Sequence, residues 1–236
     1  MDYWNKQLFS YCERALDPAF WAEPINAWSN AAFWIAALAA LLLWLRMPRR
    51  ERQAFDLVLV ALVFIIGVGS FLFHTFATRW AVLADVFPIT VFMLVYLGCA
   101  LKRFLGWNWL GTSIGVALFF ATLQQAEKIR CGDGPCFNGS IGYVPAFIVL
   151  LLVGGALAIR KHPAARSLIA AGLIFAVSLS LRTVDRTVCD ATHVGLFESP
   201  LGTHFLWHVL NGTLLYILVR AAILHGRFER TVREGI

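Results

Sequence analysis

The chain has 236 residues, 59% of them hydrophobic and only 14% charged, with a mean hydropathy of +0.70. A soluble domain carries about 25% charged residues, so a water-soluble globule is excluded and an integral membrane protein is expected. The net charge of +6 does not point to nucleic acid, because the basic residues are scattered between apolar segments.

In chain order, residues 1–23 form a polar and aromatic segment, and seven apolar stretches follow: Pro24 to Leu45, Phe55 to Phe76, Trp80 to Leu101, Trp107 to Ala126, Tyr143 to Ile159, Ser167 to Val184 and Thr203 to Leu224. Most approach the roughly 20 residues needed to cross a hydrocarbon core. With no water to satisfy a bare backbone there, each is expected to be a helix. The first stretch is long, follows some twenty polar and aromatic residues and lacks a small-residue cleavage site, so it does not read as a signal peptide. The expected fold is all-α, a single membrane domain over residues 1–236 with seven transmembrane helices and a short tail over 226–236. No internal repeat or interdomain linker interrupts it.

The basic residues report topology. Of the 20 Lys and Arg, 13 fall on one side: the RMPRRER linker, Lys102, Arg103, Arg160, Lys161, Arg166, Arg220, Arg227, Arg230 and Arg233. The other 7 are Lys6, Arg14, Arg79, Lys128, Arg130, Arg182 and Arg186. The positive-inside rule places the N-terminus outside and the C-terminus in the cytoplasm. Cys12, Cys131, Cys136 and Cys189 all lie in segments assigned to the outside, while Cys99 lies toward the cytoplasm. Four cysteines in an oxidising space allow two disulfides among three connectivities. Cys131 and Cys136 are close enough in CGDGPC for a local loop, which would leave Cys12 for Cys189; four unpaired thiols are the alternative. Trp21, Trp28, Trp80, Trp107, Trp109 and Trp207 lie near expected helix ends, where aromatic belts belong.

His74 ends the second stretch in GVGSFLFHTF, with Ser70 one turn before it, and His204 and His208 stand one turn apart in GTHFLWHVLNG. Polar groups at membrane depth are costly and mark functional sites. The second stretch runs outward while the third and seventh run inward. His74, Ser70, Asp85, His204 and His208 therefore all fall in the outer half of the membrane. Residues i and i+4 share a helix face, so His204 and His208 can grip one ion, and His74 completes the three-ligand set of an open zinc site. Zinc lowers the pKa of its water to about 7. Asp85 then suits a base for that water's proton, and Ser70 a donor to a developing oxyanion.

Other readings explain less. Interhelical hydrogen bonding often accounts for one such histidine, but poorly for five polar groups at a common depth. Haem needs axial ligands on opposite faces, and a retinal pigment needs a lysine within the bundle, which this chain lacks. A Ser70–His74–Asp85 hydrolase would place its serine inside a helix rather than on an elbow, and would leave His204 and His208 unused. Arg182 and Asp185, at i and i+3, are expected to form an ion pair. Asn26, Asn30 and Asn211 are expected to hydrogen-bond between helices. His162, His193 and His225 fall in loops or at helix ends.

The segments SFLFH, ADVFP, RTVDRTVC and THFLWH, in this order, resemble the alkaline ceramidase family, a group of seven-helix membrane hydrolases whose superfamily includes the adiponectin and progestin receptors. YCER and AEPINAWSN are similar to bacterial members, which implies a bacterial inner membrane with the site toward the periplasm. The resemblance runs from about Tyr11 to Tyr216. It implies hydrolysis of ceramide to a sphingoid base and a fatty acid, with zinc on His74, His204 and His208 and assistance from Ser70 and Asp85. It also implies a Cys12–Cys189 disulfide. Animal members hold calcium in an N-terminal cluster; here Glu13 and Glu23 match two of its positions, Tyr11 could offer its carbonyl and Asp17 a further carboxylate. Ser10 and Ala15 replace the family's aspartate and asparagine. Alternatives are a hydrolase of another N-acyl lipid, a receptor-like relative, a purely structural zinc site and, from another class, a proton-coupled transporter; no inverted repeats or broken helices suggest the last.

Overall fold

The computed structural model describes residues 2–132, 134–189 and 200–226. His193, Arg227, Arg230, Arg233 and most of the tail read from the sequence lie outside the described residues. Among the described residues the fold is helical apart from two two-residue strands, β1 (Arg130–Cys131) and β2 (Gly134–Pro135), which pair antiparallel.

The helices are α1 (Pro24–Ser29), α2 (Ala31–Arg46), α3 (Ala54–Phe76), α4 (Arg79–Cys99), α5 (Trp109–Ala126), α6 (Val144–Ile159), α7 (Ala165–Val184) and α8 (His204–His225). Helices α1 and α2 together make one span, Pro24–Arg46, and α4 runs on through a π-helical turn to Phe104. Among the described residues, six spans are long and apolar enough to cross a bilayer. The fourth stretch expected from the sequence is present as α5 but is not among the six. Trp109, Gly111, Thr112, Ser113, Gln124 and Gln125 dilute the apolar character of its 18 residues.

Small residues set the packing around α8, which lies against α2, α3 and α7. A Cβ at Gly212 would sit 2.9 Å from the backbone of Ala32, so α8 and α2 meet almost backbone to backbone, as small residues allow in membrane bundles. At Gly69 of α3 a Cβ would run into the carbonyl oxygen of Ala84 on α4. Pro88, four residues on, has no N–H to give that carbonyl. The freed oxygen occupies the space that only glycine leaves, which brings Ser70 alongside Asp85.

Residues 2–23 fold over the end of the bundle where α3 finishes and α4 and α8 begin. Leu8 donates its N–H to Ala77 at 2.7 Å and Arg79 donates to Lys6 at 3.2 Å, so the segment is stitched to the turn between α3 and α4. Two disulfides are formed, Cys12–Cys189 and Cys131–Cys136; Cys99 is a free, buried thiol. Cys12–Cys189 ties this covering segment to the chain beyond α7.

Candidate metal centre

His74, His204 and His208 converge: one ring nitrogen from each lies within 4.8 Å of the others, and all three side chains are buried. Among the described residues this is the one group of three or more His, Cys, Asp or Glu able to hold a metal ion. His204 and His208 meet because they are one turn apart on α8, and His74 arrives from the last turn of α3.

The outer hydrogen bonds orient two of the rings. Ser29 Oγ donates to the Asn26 carbonyl at 2.8 Å, so its lone pair faces His208 Nδ1 at 2.7 Å and accepts that nitrogen's proton. His208 Nε2 then points inward with a free lone pair, 3.5 Å from Ser70 Oγ. His74 Nδ1 lies 2.6 Å from Glu23 Oε2, and a carboxylate can only accept, so Nε2 is again the free nitrogen. His74 Nε2, His204 Nδ1 and Asp85 Oδ1 are buried without a hydrogen-bond partner. Orphaned buried polar atoms are rare, and three at one place, with imidazole donors held from behind, fit a zinc ion and its bound water. Asp85 lies within electrostatic reach of Ser70, His74 and Arg182.

Three residues take places the sequence did not suggest. Tyr11 stacks its ring on His204 with centroids 3.6 Å apart and planes 17° apart, fixing the imidazole plane; burial raises its phenol pKa. Arg182 does not pair with Asp185. Its guanidinium donates to the Asn138 carbonyl at 2.9 Å and to Ser140 Oγ at 3.0 Å, and lies over the rings of Tyr143 and Trp207. Asp185 instead accepts backbone N–H bonds from Cys12, Thr203 and His204 at 2.8 to 2.9 Å. The unsatisfied donors and positive dipole end of α8 offer a buried carboxylate more than one guanidinium at i−3 does. Gly202, at φ 66°, has its missing Cβ where Asp185 Oδ1 sits.

The residues considered for calcium do not assemble as a ligand set, because each carboxylate is engaged elsewhere. Glu13 accepts the N–H groups of Ile25 and Asn26 at the start of α1; burial pushes its pKa up to about 7, and those two bonds oppose the rise. Asp17 accepts from Ala19 N–H. Glu23 binds Arg14 at 2.6 Å as well as His74. Burial opposes its ionisation, yet His74 and Arg14 beside it hold its pKa below the ordinary value. Asn211 bonds between helices as expected, to Ser178 Oγ at 2.8 Å, whereas the side-chain amides of Asn26 and Asn30 bond locally, to Glu23 and to α1 carbonyls.

An apolar cavity lies next to the histidines, in a region with about 840 Å³ of non-atom space, open solvent included. Phe33 and Trp207 line it and are also ring neighbours of His208 and His204. Trp207 therefore faces the interior, not a membrane interface. Along α8 the lining runs from Trp207 to Leu218, roughly 16 Å at 1.5 Å per residue. Sequence periodicity did not mark this cavity, since apolar residues surround these helices on every side.

A family model described as Ceramidase matches residues 9–233. A search among curated proteins found no match.

Proposed function

The chain belongs to the ceramidase family, and from that premise we propose that it is a zinc-dependent intramembrane amidohydrolase that cleaves ceramide into a sphingoid base and a free fatty acid. The observation that carries this reading is the convergence of three histidines, with an unpartnered Asp85 oxygen, next to an apolar cavity whose lining residues Phe33 and Trp207 touch His208 and His204. His74, His204 and His208 would hold the ion. When bound, zinc supplies Lewis acidity, which acidifies water and polarises a carbonyl.

This chain's residues do the rest. The cavity takes the acyl chain and so delivers the amide carbon to the histidine end. Asp85 accepts the proton of the attacking water as its oxygen bonds to the carbonyl carbon, and returns a proton to the nitrogen as the C–N bond breaks. Ser70 donates a hydrogen bond to the carbonyl oxygen as negative charge builds there. The proposed orientation, with seven spans, the N-terminus and active site outside and the C-terminus in the cytoplasm, is supported by the distribution of Lys and Arg and by disulfides at the histidine end. In a bacterium that is the inner membrane with the site toward the periplasm.

The test is incubation of purified protein with ceramides, followed by mass spectrometry of the extracted lipids and metal analysis of the protein. Wild type should contain zinc and release both products, and His204→Ala should lose both properties. Full hydrolysis by His204→Ala rejects the site; cleavage confined to other N-acyl lipids replaces the substrate.

A further inference from the structure

We propose that Arg14 is a positioning residue that holds His74 at two points, by its backbone and, through Glu23, by its imidazole. The inference rests on the zinc reading above. Arg14 has no solvent-exposed side-chain surface, so its charge must be compensated within the protein. Nε donates to Glu23 Oε1 at 2.6 Å. One terminal nitrogen donates to the carbonyls of Asp17 and Ala19 at 3.2 and 2.8 Å, and the other to those of His74 and Thr75 at 2.9 and 3.1 Å. A guanidinium has five N–H donors, and all five are used.

The geometry explains why one side chain serves both ends of His74. The last turn of α3 leaves carbonyls without helical donors, and Arg14 caps two of them, fixing where the Cα of His74 lies. The carboxylate that neutralises Arg14 presents its second oxygen, Oε2, to His74 Nδ1. Ring direction and tautomer are thereby set, with Nε2 turned toward His204 and His208. Asn26 Nδ2 donates to the same Oε2 at 3.1 Å and limits its rotation. A lysine could supply the charge, but not five donors in one plane.

The test uses the full-length protein in detergent, with zinc affinity from chelator competition and the visible spectrum of the cobalt(II)-loaded form. Arg14→Met and Glu23→Gln should each weaken zinc binding 10- to 100-fold, the usual cost of losing an outer-shell partner. The double variant should lose little more than the weaker single variant, because both act along one path. The cobalt spectrum should change in the same way in both, whereas Gln7→Ala, in the same segment, should leave it unchanged. Wild-type zinc affinity and cobalt spectrum in Arg14→Met, or multiplicative losses in the double variant, overturn the proposal. If Arg14→Met fails to assemble with both disulfides, Arg14→Lys decides: a partial loss with the altered spectrum supports the relay, and wild-type values overturn it. Wild-type protein that binds no zinc sinks this proposal with the metal reading; zinc binding without ceramide cleavage sinks only the function.

Discussion

Asp185 accepts the backbone N–H of His204 at 2.9 Å, and through it the end of α7 sets where α8 begins. The same carboxylate receives Cys12 and Thr203. Replacing it with alanine strands two buried donors, Cys12 and His204 N–H, each costing about 1–3 kcal/mol, and one part-buried donor, Thr203 N–H. Asp185→Ala should therefore be destabilised by about 2 kcal/mol or more and bind zinc poorly. Thermal unfolding in detergent and metal analysis check both. A variant with wild-type stability would mean that the three donors find other acceptors.

At Gly69, α3 comes so close to α4 that a Cβ would run into the Ala84 carbonyl. Gly69→Ala must push Ala84 away, and overpacking of this kind costs about 1–3 kcal/mol. Because Ser70 and Asp85 adjoin this contact, hydrolysis should fall further than stability. Activity per folded molecule, compared with thermal midpoint, distinguishes the two effects.

Asp85→Asn should retain zinc while slowing hydrolysis by about 10²–10⁴-fold, the usual range for losing a general base. Ser70→Ala should also retain zinc, with a loss of about 10²–10³-fold in turnover if it serves the oxyanion. Metal content alongside turnover checks these; loss of zinc in Asp85→Asn would make it a ligand instead.

Leu218 lines the cavity end far from the histidines. Leu218→Trp should shorten the space for an acyl chain, raising KM for long-chain ceramides and sparing short-chain ones. A uniform fall across chain lengths would count against acyl binding there.

Glu13 gives stability a pH dependence of known sign. Its folded pKa is raised from 4.5 to about 7, chiefly by burial, so between these values the folded state holds the proton more tightly than the unfolded chain. Its contribution is fully present below about pH 4.5 and is lost as pH rises through about 7. Thermal midpoints from pH 5 to 8 should show a decline that Glu13→Gln reduces. An identical profile in that variant would remove Glu13 from the account.

The histidine cluster was legible in the sequence because its signal is local. His204 and His208 share a face by helical spacing alone, and a histidine in an apolar run such as that holding His74 is costly enough to stand out. The cysteine pattern was legible for a similar reason, since Cys131 and Cys136 are near neighbours. The long helices were also legible, although α5 is less apolar than the others.

What supports the ligands was not legible. Ser29 behind His208, Glu23 behind His74 and Tyr11 on His204 belong to segments far away in the chain. Arg182 and Asp185 looked like a pair at i and i+3, but each has stronger partners that only folding delivers. The N-terminal carboxylates are similar, since composition places them in that segment without revealing the guanidinium and backbone donors that bond them. Helical period and the cost of burying charge can be read along one dimension, and they mark the long apolar helices and the three histidines. Partner choice among buried polar groups depends on which donors and acceptors meet in space, and the tertiary structure decided it.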